Sequence, residues 1–161
     1  MMKTAIVYYS MTGNTKYQAE TMARILGADL IPLVPKKAYP DSGFKKFFWG
    51  GKSALMGEKP ALEPYSFDPA AFDLIVFGSP VWAGTFAPPL RTFIEENRAD
   101  LKGKSIAAFF CCSGGPGKVL EKFSGFMANG QPEHTFISVD PKDKPDQETE
   151  EKFKAFCTTL M

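Results

Sequence analysis

Little in this chain is extreme, and each shortage closes off a class of protein. Cysteine is scarce, with three in 161 residues. An odd count in a chain this long excludes a small scaffold stapled by disulfides. Histidine is rarer still. His134 stands alone, so neither a metal cluster nor a Ser–His or Cys–His catalytic pair assembles around it. No sign of charge dominates, since 19 basic and 18 acidic residues leave a formal net charge of +1. That argues against nucleic acid or a membrane surface as a partner. Long hydrophobic runs are missing: a stretch such as Ile106–Cys112 is far too short to span a bilayer, so no membrane insertion is expected. The start, Met1-Met2-Lys3-Thr4, leads straight into a strand without the layout of a signal peptide. The expected setting is a reducing cytoplasm.

What remains is an ordinary globular composition, 44% apolar and 23% charged, expected to form a single domain over residues 1–161 around one core. The pattern alternates strand and helix. Strand-like runs fall at Lys3–Tyr9, Asp29–Val34, Phe72–Gly78, Ser105–Cys111 and His134–Val139, with helical stretches at Gly13–Leu26, within Phe44–Met56, and at Pro88–Glu96, Gly117–Met127 and Asp146–Leu160. Near-continuous apolar runs such as Leu74-Ile75-Val76-Phe77 belong in a parallel sheet covered on both faces. Five β–α units predict a doubly wound, three-layer α/β sandwich with a five-stranded parallel sheet. Ligands of such sheets sit outside the carboxyl ends of the strands, where the winding reverses.

Three of those strand ends are distinctive. The first runs from an apolar strand into Ser10-Met11-Thr12-Gly13-Asn14-Thr15 and then a helix. The helix start leaves N–H groups unpaired and carries partial positive charge. Three hydroxyls and an amide surround it, and Gly13 allows close backbone approach, so the segment reads as a phosphate trap. The third strand ends in Gly78-Ser79-Pro80-Val81-Trp82-Ala83-Gly84, a long apolar connection with a tryptophan that has no core position. The fourth ends in Cys112-Ser113-Gly114-Gly115-Pro116-Gly117-Lys118, which offers mostly bare backbone. A phosphorylated planar heterocycle would use all three. The last of these has the outline of a nucleotide P-loop but fails it: Cys112 holds the first glycine position and Val119 the place of the magnesium-binding hydroxyl. Cys111 and Cys112 are adjacent and form no C-x-x-C pair.

The segment Ser10–Thr15 matches Ser-x-Thr-Gly-Asn-Thr, the FMN-phosphate motif of the flavodoxin family, and the chain resembles that family over essentially its full length. The unbroken His134–Val139 run resembles the short-chain type, and Ser79–Gly84 is similar to the flavin loop of a flavodoxin-like subgroup. The resemblance implies strand order 2-1-3-4-5 and FMN as cofactor. It implies a phosphate held by Ser10, Met11, Thr12, Gly13, Asn14 and Thr15. It also implies an isoalloxazine ring bordered by Ser79, Pro80, Val81, Trp82, Ala83 and Gly84, with Trp82 stacking and Gly84 allowing a peptide flip beside the ring. Main-chain groups of Cys112, Ser113, Gly114 and Gly115 would face the pyrimidine edge. No catalytic residue and no metal ligand are implied.

Electron transfer between redox partners, proteins or a small-molecule reductant or acceptor, is the activity this resemblance implies. The alternative is an NAD(P)H-dependent FMN or quinone oxidoreductase on the same fold, and a third is a flavin-binding module without turnover. Electron-carrying flavodoxins are usually strongly acidic, whereas the loops Gly78–Pro89 and Cys112–Lys118 contain no Asp or Glu. A less negative flavin potential is therefore expected. The third loop also lacks an aromatic lid. A candidate cover is the basic, aromatic segment 36–59, with Phe44, Phe47, Phe48 and Trp49 among lysines including Lys45 and Lys46. It reads either as a crossover helix packed on the sheet or as a rim that guides an acidic partner.

Overall fold

The structure is a computed structural model describing residues 2–39, 50–128 and 131–161. Five parallel strands form the sheet: β1 (Thr4–Tyr8), β2 (Asp29–Pro32), β3 (Leu74–Trp82), β5 (Ser105–Cys112) and β6 (His134–Val139). Their order is β2-β1-β3-β5-β6, and a two-residue strand, β4 (Thr85–Phe86), pairs antiparallel with the end of β3. Leaving β4 aside, this is the expected 2-1-3-4-5 order, with the winding reversing between β1 and β3. Helices α1 (Asn14–Leu26), α2 (Pro88–Leu101), α3 (Val119–Met127) and α4 (Gln147–Thr159) flank the sheet. No helix among the described residues is long and apolar enough to cross a membrane.

The strands bury both faces because successive side chains point to opposite sides. Ala5, Val7, Ile75, Phe77, Ile106, Ala108 and Phe110 join Leu90, Phe93, Ile94 and Phe123 from α2 and α3 in one layer. Ile6, Tyr8, Leu74, Val76, Ala107 and Phe109 join Ala19 and Met22 from α1 and Phe153, Phe156 and Cys157 from α4 in the other. The apolar runs are thus two interleaved core stripes on the same strands. Phe123 lies 5.2 Å from Phe86, 5.4 Å from Phe110 and 5.7 Å from Phe77, ring centre to ring centre. Each buried phenyl contributes roughly 1.5–3 kcal/mol, so this cluster anchors α3 firmly beneath the loop that precedes it.

Two elements differ from the sequence reading. The third strand continues past Gly78 to Trp82 and turns back through a hairpin where a loop was expected. Helix α2 runs on to Leu101, with Asn97 locally non-helical at φ −121°. The Asn97 amide donates to the Phe93 carbonyl at 2.8 Å and to the Tyr65 hydroxyl at 2.8 Å, tying the bend to the preceding connection. Within 36–59, residues 50–55 are helical; Phe44, Lys45, Lys46, Phe47, Phe48 and Trp49 lie outside the described residues.

Candidate functional site

The carboxyl ends of β1, β3 and β5 converge on one cleft of about 270 Å³. After β1 the chain leaves the sheet at Tyr9, whose N–H still donates to the Gly78 carbonyl at 3.2 Å. It then bends through Ser10–Gly13 and enters α1, with Gly13 in the left-handed region at φ 102° as the residue before the helix. Only the Lys16 N–H at this end finds a side-chain acceptor, Ser10 Oγ at 3.1 Å. The N–H groups of Thr12, Gly13, Asn14 and Thr15 donate to no group among the described residues. Unpaired donors at the positive end of a helix dipole form an anion site.

Asn14 lines the cleft and also holds a distant turn. Its side chain is buried and bonded to the turn after β6. Oδ1 accepts the N–H groups of Lys142 at 2.8 Å and Asp143 at 3.2 Å, while Nδ2 donates to the Asp143 carboxylate at 3.1 Å. The residue clamps the turn 140–144 against the start of α1. Thr15 is also buried, and the nearby Cys111 thiol donates to Gln18 Oε1 at 3.3 Å.

At the end of β3, Ser79 is fully buried and does not line the cleft. Its hydroxyl donates to the Pro80 carbonyl at 2.7 Å and accepts the Ala87 N–H at 2.8 Å, which fixes the entry into α2. Pro80, Val81, Trp82, Ala83 and Gly84 do line it. Trp82 is braced edge-on by Tyr9, 5.6 Å away at 85°, and by Tyr39, 5.2 Å away at 80°. Burial, then the neighbouring Tyr39, pushes the Tyr9 hydroxyl far above its ordinary value, so it remains protonated. Ala83 and Gly84, at φ 52° and 73°, form the two-residue turn of the hairpin, where positive φ at both positions matches the twist of the strands.

The end of β5 supplies Cys112, Ser113, Gly114 and Gly115, as the sequence reading expected, and also Cys111. Both thiols are buried. Burial pushes Cys111 up to about 12, with bonds from Ser138 and Thr15 pulling the other way. Burial raises Cys112 as well, assisted by Asp140. Neither is a reactive thiolate.

Asp140 was missing from the sequence reading. It is the one charged side chain among the residues lining the cleft, 7% exposed and at φ 40°. The Ser113 hydroxyl donates to its Oδ1 at 2.7 Å, and Lys144 approaches Oδ2 at 3.7 Å. The available signal was its position: Asp140 directly follows the fifth strand, at the same sheet edge as the other three segments. Gly13 completes the turn after β1 without lining the cleft itself.

The cleft therefore combines an anion site, a braced indole and a rim of bare backbone. Residues 3–137 match the sequence pattern of a family described as Flavodoxin. Among solved structures, a flavoprotein in complex with FMN from Lactobacillus acidophilus NCFM is 25% identical, with 89% of this chain and 96% of that one covered and a TM-score of 0.73. A candidate flavoprotein from Bacteroides eggerthii DSM 20697 is 20% identical, with 99% and 98% covered and a TM-score of 0.78. Oxidised flavodoxin 1 from Bacillus cereus is 18% identical, with 97% and 95% covered and a TM-score of 0.58. The last two are similar in fold. With its strand order, its cleft at the winding reversal and the match over residues 3–137, the chain belongs to the flavodoxin family.

Proposed function

We propose that this protein binds FMN across the three strand ends and passes electrons between redox partners. The observation that carries the reading is the convergence on one cleft of the unpaired N–H groups of Thr12, Asn14 and Thr15, the indole of Trp82 and the exposed backbone of residues 113–115. These fit the cofactor's chemistry: a dianion for the helix end, a planar ring for the indole, and a hydrogen-bonding edge for main-chain groups. FMN supplies one- and two-electron chemistry when bound, and the chain supplies binding, orientation and electrostatics.

Each segment has its own task. Ser10 organises the turn through the Lys16 N–H and keeps its own proton to donate. Trp82, held edge-on by two tyrosines, presents a fixed aromatic surface. Asp140 fixes Ser113 and places a carboxylate at the cleft. The described residues bordering the cleft offer no second aromatic on the β5 side. This favours a second reading, direct reduction by NADH or NADPH on the flavin face left without aromatic cover.

An anaerobic sample of the FMN-loaded protein separates the two. A carrier keeps its yellow absorbance when NADH or NADPH is added and loses it with dithionite. Rapid bleaching by either nicotinamide identifies an oxidoreductase and overturns the carrier reading.

A further inference from the structure

The turn after β6 places a lysine on the anion-binding end of α1. The Lys142 side chain crosses Gly13 so closely that a Cβ built there would lie 2.9 Å from Nζ and 3.5 Å from Cδ. The backbone that carries this exposed side chain is held in place, because Asn14 Oδ1 accepts the N–H of Lys142 and of its neighbour Asp143. The two lysines of the turn also differ. Lys144 pairs with Asp140, whereas among the described residues no carboxylate lies within 4 Å of the Lys142 ammonium.

This is an unfavourable site for a cation in isolation. The first turn of α1 contains no acidic residue, and a helix N-terminus carries the same sign of charge as the ammonium. One dianion at the helix end would satisfy both. Resting on the FMN reading above, we propose that Lys142 is the residue that selects a phosphorylated flavin over its unphosphorylated form. Its ammonium adds a full charge to a turn whose other donors are neutral. Asn14 acts as a positioning residue, holding the turn that carries Lys142.

The test compares FMN and riboflavin binding to the apoprotein, for wild type, Lys142→Gln and Thr12→Ala, at low and high salt. Lys142→Gln is expected to weaken FMN about tenfold, the equivalent of ~1.4 kcal/mol, and to leave riboflavin unchanged, which also reports an intact fold. Lys142→Arg keeps most of the FMN preference. The difference between wild type and Lys142→Gln shrinks near 1 M salt, where screening acts within about 3 Å. An FMN-to-riboflavin preference unchanged in Lys142→Gln but reduced in Thr12→Ala overturns the role of Lys142 and leaves the phosphate site standing. A preference unchanged in both variants, or no FMN binding by the wild type, overturns the site and this proposal with it.

Discussion

Gly84 and Gly117 meet backbone to backbone, so that a Cβ built on Gly117 would lie 2.6 Å from the Gly84 Cα. The contact joins the hairpin tip after β3 to the loop after β5, the two segments proposed to hold the flavin ring. Both residues have positive φ, 73° and 56°. Neither place accommodates a side chain without cost.

Gly117→Ala is accordingly expected to act twice. The new methyl pushes the loops apart, and a left-handed alanine adds roughly 1–2 kcal/mol of backbone strain. We expect a lower denaturation midpoint together with FMN binding weakened by more than the stability change accounts for. Gly103→Ala is the control, being at positive φ with nothing within 4 Å of a built Cβ. Equal effects of the two substitutions on FMN affinity would show that the loop contact does not shape the site.

Alkaline pH should destabilise the protein in a defined window. Burial pushes Cys111 and Cys157 up to about 12 from an ordinary value of 9.0, and Cys112 moves in the same direction. The folded state holds these protons more tightly than the unfolded chain, so unfolding releases them. The contribution is whole below about pH 9 and is lost as pH rises toward 12. The buried Tyr8 and Tyr9 and the half-buried Tyr39 are raised in the same direction and add to the loss. Urea midpoints should fall steadily above pH 9, and a midpoint that rises over that range would contradict the assignment.

The charge at the cleft makes a redox prediction. A carboxylate near the ring opposes the added negative charge of a reduced flavin, but among the described residues lining the cleft there is one, Asp140, partnered by Lys144 at 3.7 Å. The bound flavin should have a less negative potential than in strongly acidic flavodoxins, and Asp140→Asn should raise it further. Spectroelectrochemical titration of both proteins checks this. A potential as low as that of the acidic proteins, or one unmoved by Asp140→Asn, would contradict it.

What the sequence reveals is what is local. The Ser10–Thr15 turn follows β1 within a few residues, and the apolar runs of β3 and β5 announce burial on both faces. The hairpin after β3 was obscured because Gly78, Ser79 and Pro80 resemble strand breakers, yet Ser79 and Pro80 remain in register with Phe110 and Cys111. The partners of Asn14 lie 128 and 129 residues away, and Asp140 reaches Ser113 only because β6 pairs with β5 through Cys112 and Val139. Such contacts follow from topology and leave no trace in local spacing. The same holds for Tyr9 and Tyr39 around Trp82.

The central claim is that FMN occupies the cleft at the ends of β1, β3 and β5. Backbone amide chemical shifts, recorded by NMR while the apoprotein is titrated with FMN, test it residue by residue. The account predicts that the largest changes cluster at 10–15, 81–84 and 111–115, with a further group at 140–143 where Asn14 clamps the turn. Saturable FMN binding whose changes fall instead along the outer faces of the helices, or no binding at all, would contradict it.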